Sequence, residues 1–367
     1  MTEAEIIACL RLQAVPNIGD LTAKKLIAYC GCPTAVFQDK KSHLLKIEGI
    51  GKYTLKGLFD KVYQDEAEEE WQYISSNDVA LSYFMDDGYP EMLKHCLDGP
   101  IVLFQRGNID LKGKKLISVV GTRNITSQGR LFCENFIEEI TPLNPVIISG
   151  FAYGVDITIQ RMAMEAGLQT IGCLAHGLNQ IYPKSHKKYA QSVELNGGFC
   201  TEFWSSSQPD RENFLKRNRI IAGMSQATVV IESAEKGGSL ITANLAHDYN
   251  REVFALPGRH TDKFSAGCNN LIKQQKAQLL TSAADLVYML NWKLQQEPKR
   301  PVQRELFVQL DETEKSIYSY LQLNGKQLLD VVALDCKLPV HLVSSVLLGM
   351  EMKGVIRPLP GKLFEAI

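Results

Sequence analysis

Leu116-Ile117-Ser118-Val119-Val120-Gly121-Thr122-Arg123-Asn124-Ile125-Thr126-Ser127-Gln128-Gly129 is the stretch on which the fold turns. The apolar, β-branched run Leu116 to Val120 has the length of a buried strand. Gly121 marks a sharp turn, and Thr126 or Ser127 is suited to cap a helix. A helix start facing such a turn offers N–H groups to an anion such as a phosphate. Arg123 lies in the turn, where a guanidinium can grip the same anion with two bonds. Taken alone, the stretch reads equally well as an ordinary strand–helix junction with a surface arginine.

Working outward, strand and helix patterns alternate from residue 114 to about 290. Strand-like runs recur at Val146–Ser149, Thr170–Leu174, Gly198–Thr201, Thr228–Ile231 and Glu252–Leu256. Short, nearly continuous apolar strands separated by helices predict an α/β fold with a parallel, doubly wound sheet covered on both faces. Upstream, Ala80–Phe84 and Ile101–Phe104 read as strands of an entry segment. Ligands of such sheets bind beyond the carboxyl ends of the strands.

The loops expected there share a composition. One holds Ser149-Gly150 and Gly154-Val155-Asp156. The next runs His176-Gly177-Leu178-Asn179-Gln180-Ile181-Tyr182-Pro183-Lys184 and continues into His186, Lys187 and Lys188. A ring beside a cluster of bases suits single-stranded nucleic acid, which needs charge for phosphates and a stacking surface. Further on, Arg211, Lys216, Arg217 and Arg219 stand against Glu212 alone between 211 and 219, and Lys236-Gly237-Gly238-Ser239 opens a helix that includes Thr242. Each loop is weak evidence alone; their convergence on one sheet edge is what points to a polyanion.

Other chemistries fit less well. The first loop lacks the Gly-x-Gly-x-x-Gly of a dinucleotide site, which argues against nicotinamide chemistry. Asp156, His176, Glu202, Glu232 and Ser239 fall near the same edge, but no nucleophile elbow or phosphate-loop Lys-Ser/Thr accompanies them. They are read as structural hydrogen bonders, and no cofactor is expected. The nine cysteines are scattered without metal-ligand spacing, so no metal site is expected either. At 367 residues and 45% hydrophobic content the chain is globular and larger than one ordinary domain. No apolar run approaches the ~20 residues of a membrane span. The acidic start Met-Thr-Glu-Ala-Glu lacks a secretory pattern, which gives a cytoplasmic expectation. A net charge of −1 excludes a uniformly basic protein but leaves room for a local basic groove.

At the amino end, Val15-Pro16-Asn17-Ile18-Gly19 and Ile47-Glu48-Gly49-Ile50-Gly51 resemble helix-hairpin-helix turns, with Lys24, Lys25, Lys52 and Lys56 nearby. They read either as phosphate-binding hairpins or as tight turns of a small bundle. At the carboxyl end, three helical patterns and a hairpin around Pro358-Leu359-Pro360-Gly361 suggest a winged helix. Its third helix has no Arg or Lys before Lys353, and residues 311–367 hold six basic against seven acidic residues. Such a balance favours protein contact or packing over duplex binding.

The motifs together resemble the DNA-processing protein A (DprA/Smf) family. The matching segments are Val120-Gly121-Thr122-Arg123, Ser149-Gly150 with Gly154-Val155-Asp156, Gly177-Leu178-Asn179 with Tyr182-Pro183, Arg217-Asn218-Arg219-Ile220-Ile221-Ala222-Gly223, Gly238-Ser239-Leu240-Ile241-Thr242-Ala243 and Val253–Gly258. The resemblance implies a helical domain (1–75), a Rossmann-like domain (76–292), a linker (293–310) and a winged-helix-like domain (311–367). It also implies a non-enzymatic single-stranded DNA binder that dimerises through the Rossmann-like domain. Such a protein helps load a RecA-type recombinase during natural transformation. The expected DNA contacts are Gly121, Thr122, Arg123, Gly150, Gly154, Asn179, Tyr182, Lys184, Arg217, Arg219, Gly238, Ser239 and Thr242. The chain departs from the family pattern at His176, Asn179, Leu215, Gly237 and Asn250. The competing reading is a Rossmann-like nucleotide-processing enzyme of the phosphoribohydrolase type, whose Pro-Gly-Gly-x-Gly-Thr run is only partly matched by Lys236–Ser239.

Overall fold

The strands are β1 (Ala80–Tyr83), β2 (Val102–Gly107), β3 (Leu116–Val120), β4 (Val146–Ser149), β5 (Thr170–Cys173), β6 (Gly197–Thr201), β7 (Ala227–Val230), β8 (Glu252–Ala255) and β9 (Gln278–Leu279). They form one sheet in the order β1-β2-β6-β5-β4-β3-β7-β8-β9. The computed structural model describes residues 1–293, 310–359 and 361–366. These residues fall into two units, Met1–Leu294 and Gln295–Ile367.

From β3 onward every expected strand is present, and neighbours from β6 to β9 pair in parallel. The sheet is not parallel throughout, because β1 pairs antiparallel with β2, and β2 antiparallel with β6. The entry segment thus covers what would otherwise be an open edge at β6. Residues of β3 to β7 are buried throughout, as their unbroken apolar runs require of strands covered on both faces. Alternation along β3 sends Ile117 and Val119 to a cluster with Phe136 and Ile159. Leu116 and Val120 go to another with Ile220 and Ala222. Ser118, the polar member of β3, is satisfied by Ile221 O at 3.1 Å and Thr228 Oγ1 at 3.0 Å.

Chain order runs outward from β3 through β4, β5 and β6, then returns to β7 on the opposite side of β3. That reversal opens a crevice beyond the carboxyl ends of β3 and β7, where the helices on either side diverge.

The helical segment belongs to the same unit as the sheet. Leu10, Leu26 and Ile74 share one hydrophobic cluster with Val102, Phe104 and Phe199. A buried ionic knot reinforces it: Arg219 bonds to Asp20 Oδ2 at 3.1 Å, to the Glu202 carboxylate and to Asp98 O. The first hairpin is part of this docking. Asp20 also accepts from Ile101 N at 2.9 Å, and Lys24 donates to Cys96 O and Leu97 O, each at 3.2 Å. That hairpin is a structural turn. The second is not followed by a regular helix, since residues 52–59 form turns.

The second unit carries helices Glu312–Asn324, Leu329–Asp335 and Val340–Met352. A small sheet of β10 (Gln327–Leu328), β12 (Leu363–Ala366) and β11 (Ile356–Leu359), in that order, completes it. Ile317, Leu321, Val343, Leu347 and Ile356 form its core. The expected linker lies almost wholly outside the described residues. Among the described residues no single helix is long and apolar enough to cross a membrane.

Removing Arg219 leaves Asp20 without its ion-pair partner and Glu202 with only the exposed Lys216, at 3.2 Å. Arg219→Met is expected to lower the unfolding free energy by about 3–5 kcal/mol, measured by denaturant titration. Adding Glu202→Gln should recover part of that loss. A change within about 0.5 kcal/mol, typical of surface substitutions, would contradict this role for Arg219.

Candidate nucleic-acid interface

Thr126 caps the helix Ser127–Ile140, with its hydroxyl accepting from Gly129 N at 3.1 Å. The anion expected at this helix start is supplied from within the chain. The Glu232 carboxylate accepts from Thr126 N at 2.9 Å and from the Thr126 hydroxyl, while Glu232 O accepts from Thr122 N at 2.7 Å. Asn124 N is taken by Thr122 Oγ1 at 3.1 Å. The turn after β3 is therefore not an open phosphate cradle. Gly121 here, and Gly154 in the loop after β4, serve packing instead. A Cβ on Gly121 would lie 2.5 Å from Val155 Cγ2, and one on Gly154 would lie 2.1 Å from Thr122 O, at a φ of +77°. The loops after β3 and β4 are held against each other, with Val155 N donating to Thr122 O at 3.1 Å.

The open cradle is at the turn after β7. Gly238 starts the helix Ser239–Asp248 without a side-chain cap, and a Cβ there would meet nothing within 4 Å. The amides of Gly238 and Ser239 find no acceptor among the described residues. The Ser239 hydroxyl bonds to Ser233 Oγ at 2.9 Å. Gly238 and Ser239 both line the crevice between β3 and β7, a cavity of about 490 Å³ bounded also by Gly121, Thr122, Arg123, Tyr182, Arg217 and Thr242 among others. Eight of the thirteen expected contact residues meet here.

Arg123 is exposed and forms no ion pair among the described residues; its guanidinium lies 5.5 Å from the centre of the Phe214 ring. Tyr182, 44% exposed, stands with its ring centroid 5.8 Å from the same phenyl ring. The site thus has an aromatic wall with an unpaired guanidinium across it. Phe214 is absent from the expected contacts: the segment Arg211 to Arg219 stands out in sequence by its charge, which masks the ring one helical turn before Arg217.

Arg123 and Gly154 also line a second cavity of about 730 Å³, with Arg130, Arg161, Lys188, Tyr153 and Tyr189. No carboxylate lines it among the described residues, although Arg161 has Glu165 at 3.4 Å on its own helix. His186 lies there too; burial lowers its pKa, opposed by the bond of its Nδ1 to Phe151 O at 3.0 Å. The positive charge comes from three arginines and Lys188. Arg130 and Arg161 sit within the helices that follow β3 and β4, one and two turns in, and so escape a reading confined to loops.

The remaining expected residues are placed differently. Arg219 belongs to the ionic knot and is not available to a ligand. Gly150 is a spacer: a Cβ there would stand 2.6 Å from both Arg217 Nη2 and Asp156 Oδ2. Arg217 lines the crevice but is only 4% exposed, and it donates to Gly150 O at 2.9 Å and to Cys173 O. It positions the loops instead of presenting a free charge. Asn179 and Lys184 line neither cavity, although Ser185, next to Lys184, lines the second.

The two carboxylates of the first cavity are both engaged. Burial raises the Asp156 pKa, opposed by Arg217 beside it, and Asp210 caps the helix Arg211–Met224 through Glu212 N at 2.8 Å. His176 is buried, with Nδ1 against Gly177 O at 2.8 Å. Glu202, Glu232 and Ser239 have the structural partners given above.

Residues 80–291 match the family model for the DNA recombination-mediator protein A, and residues 302–362 match that of the DprA winged helix domain. The chain is 34% identical to the protein Smf of Escherichia coli over 278 residues, covering 74% of each. It is 37% identical to the DNA processing protein DprA of Streptococcus pneumoniae over 203 residues, 55% of this chain and 71% of that one. The crystal structure of the pneumococcal protein superposes with a TM-score of 0.67 at 30% identity, covering 78% of this chain and 98% of that one. DNA processing protein A from Helicobacter pylori, described as having a unique single-stranded DNA binding mode, gives a TM-score of 0.52 at 27% identity, covering 58% and 95%.

The loop packing makes a direct prediction. Gly154→Ala combines a left-handed φ with a clash against Thr122 O, so it should cost about 1–3 kcal/mol from the backbone conformation alone. The cost should appear in thermal unfolding, and amide exchange should accelerate across residues 121–126. Unchanged exchange there would show that the two loops are not coupled.

Proposed function

The chain belongs to the DNA recombination-mediator protein A (DprA/Smf) family, and from that premise we propose that it binds single-stranded DNA at the carboxyl edge of its sheet. The observation that carries this reading is Arg123. It is exposed and unpaired, held against Phe214, and shared by the crevice and the basic cavity beside it. Free amides at Gly238 and Ser239 suit a phosphate, the rings of Phe214 and Tyr182 suit a base, and Arg130, Arg161 and Lys188 extend the positive path. Thr122, Arg123, Tyr182, Gly238, Ser239 and Thr242 are the proposed contacts in the crevice, Asn179 and Lys184 are proposed contacts flanking it, and Arg217, Gly150 and Gly154 hold the loops in place.

The mechanism is one of binding without turnover. Asp156, Glu202, Glu232 and Ser239 are held in structural bonds, which supports a binding protein over a phosphoribohydrolase. Release of free base from nucleoside monophosphates by the purified protein would contradict this. Family membership extends the proposal to a cytosolic homodimer that delivers single strands to a RecA-type recombinase. Recombinase filaments should then nucleate faster with the protein than without it, and the groove variants below should lose that effect.

Arg123→Ala combined with Lys184→Ala should weaken single-strand affinity by orders of magnitude with native thermal stability, and affinity should fall steeply as salt rises. Phe214→Ala should lose about 1–3 kcal/mol of binding, the usual worth of one stacked base. Both are checked by fluorescence anisotropy with an oligothymidine. Unchanged affinity in the double variant would exclude the groove.

A further inference from the structure

We propose that the turns of residues 40–56 form a second, sequence-independent surface for the nucleic-acid backbone. Lys40, Lys41, Lys46, Lys52 and Lys56 are all exposed, and no carboxylate pairs with any of them among the described residues. Those seventeen residues contain five lysines and one carboxylate, Glu48, an excess of four positive charges in a chain whose total is −1. His43 is held by Asp39 at 2.8 Å and is left out of the sum.

The segment is compact, so the charges stay together. His43 N bonds to Lys40 O at 2.8 Å, Lys46 N to His43 O at 2.9 Å, Ile50 N to Ile47 O at 3.0 Å and Lys56 N to Tyr53 O at 3.1 Å. Leu44, Leu55 and Leu58 are fully buried in the bundle, which anchors the turns and leaves the lysines on the outside. Lys25 reaches the same place from the helix Asp20–Cys30, its Nζ 3.4 Å from where a Cβ on Gly49 would lie. Its neighbour Lys24 is tied to backbone carbonyls and contributes to docking instead.

Repulsion among these exposed like charges is screened by salt, and a polyanion relieves it further. A nucleic-acid backbone does so by exchanging its condensed counterions for lysines, whatever its base sequence. Tyr53, adjoining Lys52 and 71% exposed, adds a ring of the kind on which a base stacks. This choice of polyanion rests on the single-strand reading above, and the surface lies on different residues from the groove. A strand engaged at both would be bound more tightly than at either.

The test uses the full chain and an oligothymidine of about 40 nucleotides, with binding followed across a salt titration. Lys46→Gln, Lys52→Gln and Lys56→Gln together remove exposed charges only, so circular dichroism should be native. The triple variant should bind roughly tenfold or more weakly at low salt, and its log–log salt slope should be shallower by about 2, at ~0.7 for each phosphate no longer neutralised. Unchanged affinity and slope would overturn the proposal. So would loss of binding to phosphatidylglycerol vesicles with DNA binding intact, since that would assign the surface to anionic lipid. If the triple variant is impaired while Arg123→Ala is not, this surface stands and the groove reading fails.

Discussion

The guanidinium of Arg217 is the constraint on which the rest depends. It comes from the helix Arg211–Met224 and bonds to Gly150 O beyond β4 and Cys173 O at the end of β5, with Asp156 beside it. One buried side chain thereby joins two strand ends and a covering helix. Burial disfavours its charge, and Asp156 beside it opposes that effect. Gly150 has no room for a side chain because this group fills the space. With those ends fixed, the loops after β3 and β4 lock through Gly121 and Gly154, and the crevice between β3 and β7 takes its shape.

The molecule divides its charges between two tasks. Arg217, Arg219 and Lys24 are buried or tied down and hold elements together. Arg123, Arg130, Lys184 and Lys188 stay at the surface. The acidic partners are sorted likewise: Asp20, Asp156, Glu202 and Glu232 serve buried bonds, and no carboxylate lines the basic cavity among the described residues. A near-neutral chain can therefore present a basic edge. Family membership and this electrostatic arrangement independently support a polyanionic ligand.

Much of the fold was legible because its signals are local. Strand runs of four or five apolar residues mark β3 to β8, and the strand ends carry the glycines and polar residues of the loops. The antiparallel margin was not legible, since nothing within Ala80–Phe84 or Ile101–Phe104 states which neighbour it will pair with. At the site, residue type was legible and geometry was not. Arg217 and Arg219 look in sequence like the bases of a phosphate groove, yet both prove structural because one helix buries them. Glu232 lies more than a hundred residues from Thr126, so its occupation of the first helix start is visible only in three dimensions. Phe214 was hidden by its charged neighbours, although its aromatic character was the signal. Asn250, a departure from the family's glycine, adopts a φ of +56°, a conformation that asparagine tolerates better than most residues.

Separate loops at the carboxyl edge of one sheet are proposed to hold a single strand jointly. Amide hydrogen exchange of the full chain, with and without saturating oligothymidine, tests it most directly. Slowed exchange is expected at Gly238 and Ser239, which line the crevice, and in the segments around Arg123 and Tyr182. Bound DNA that leaves all three segments unchanged, or slows exchange only elsewhere in the chain, would contradict it.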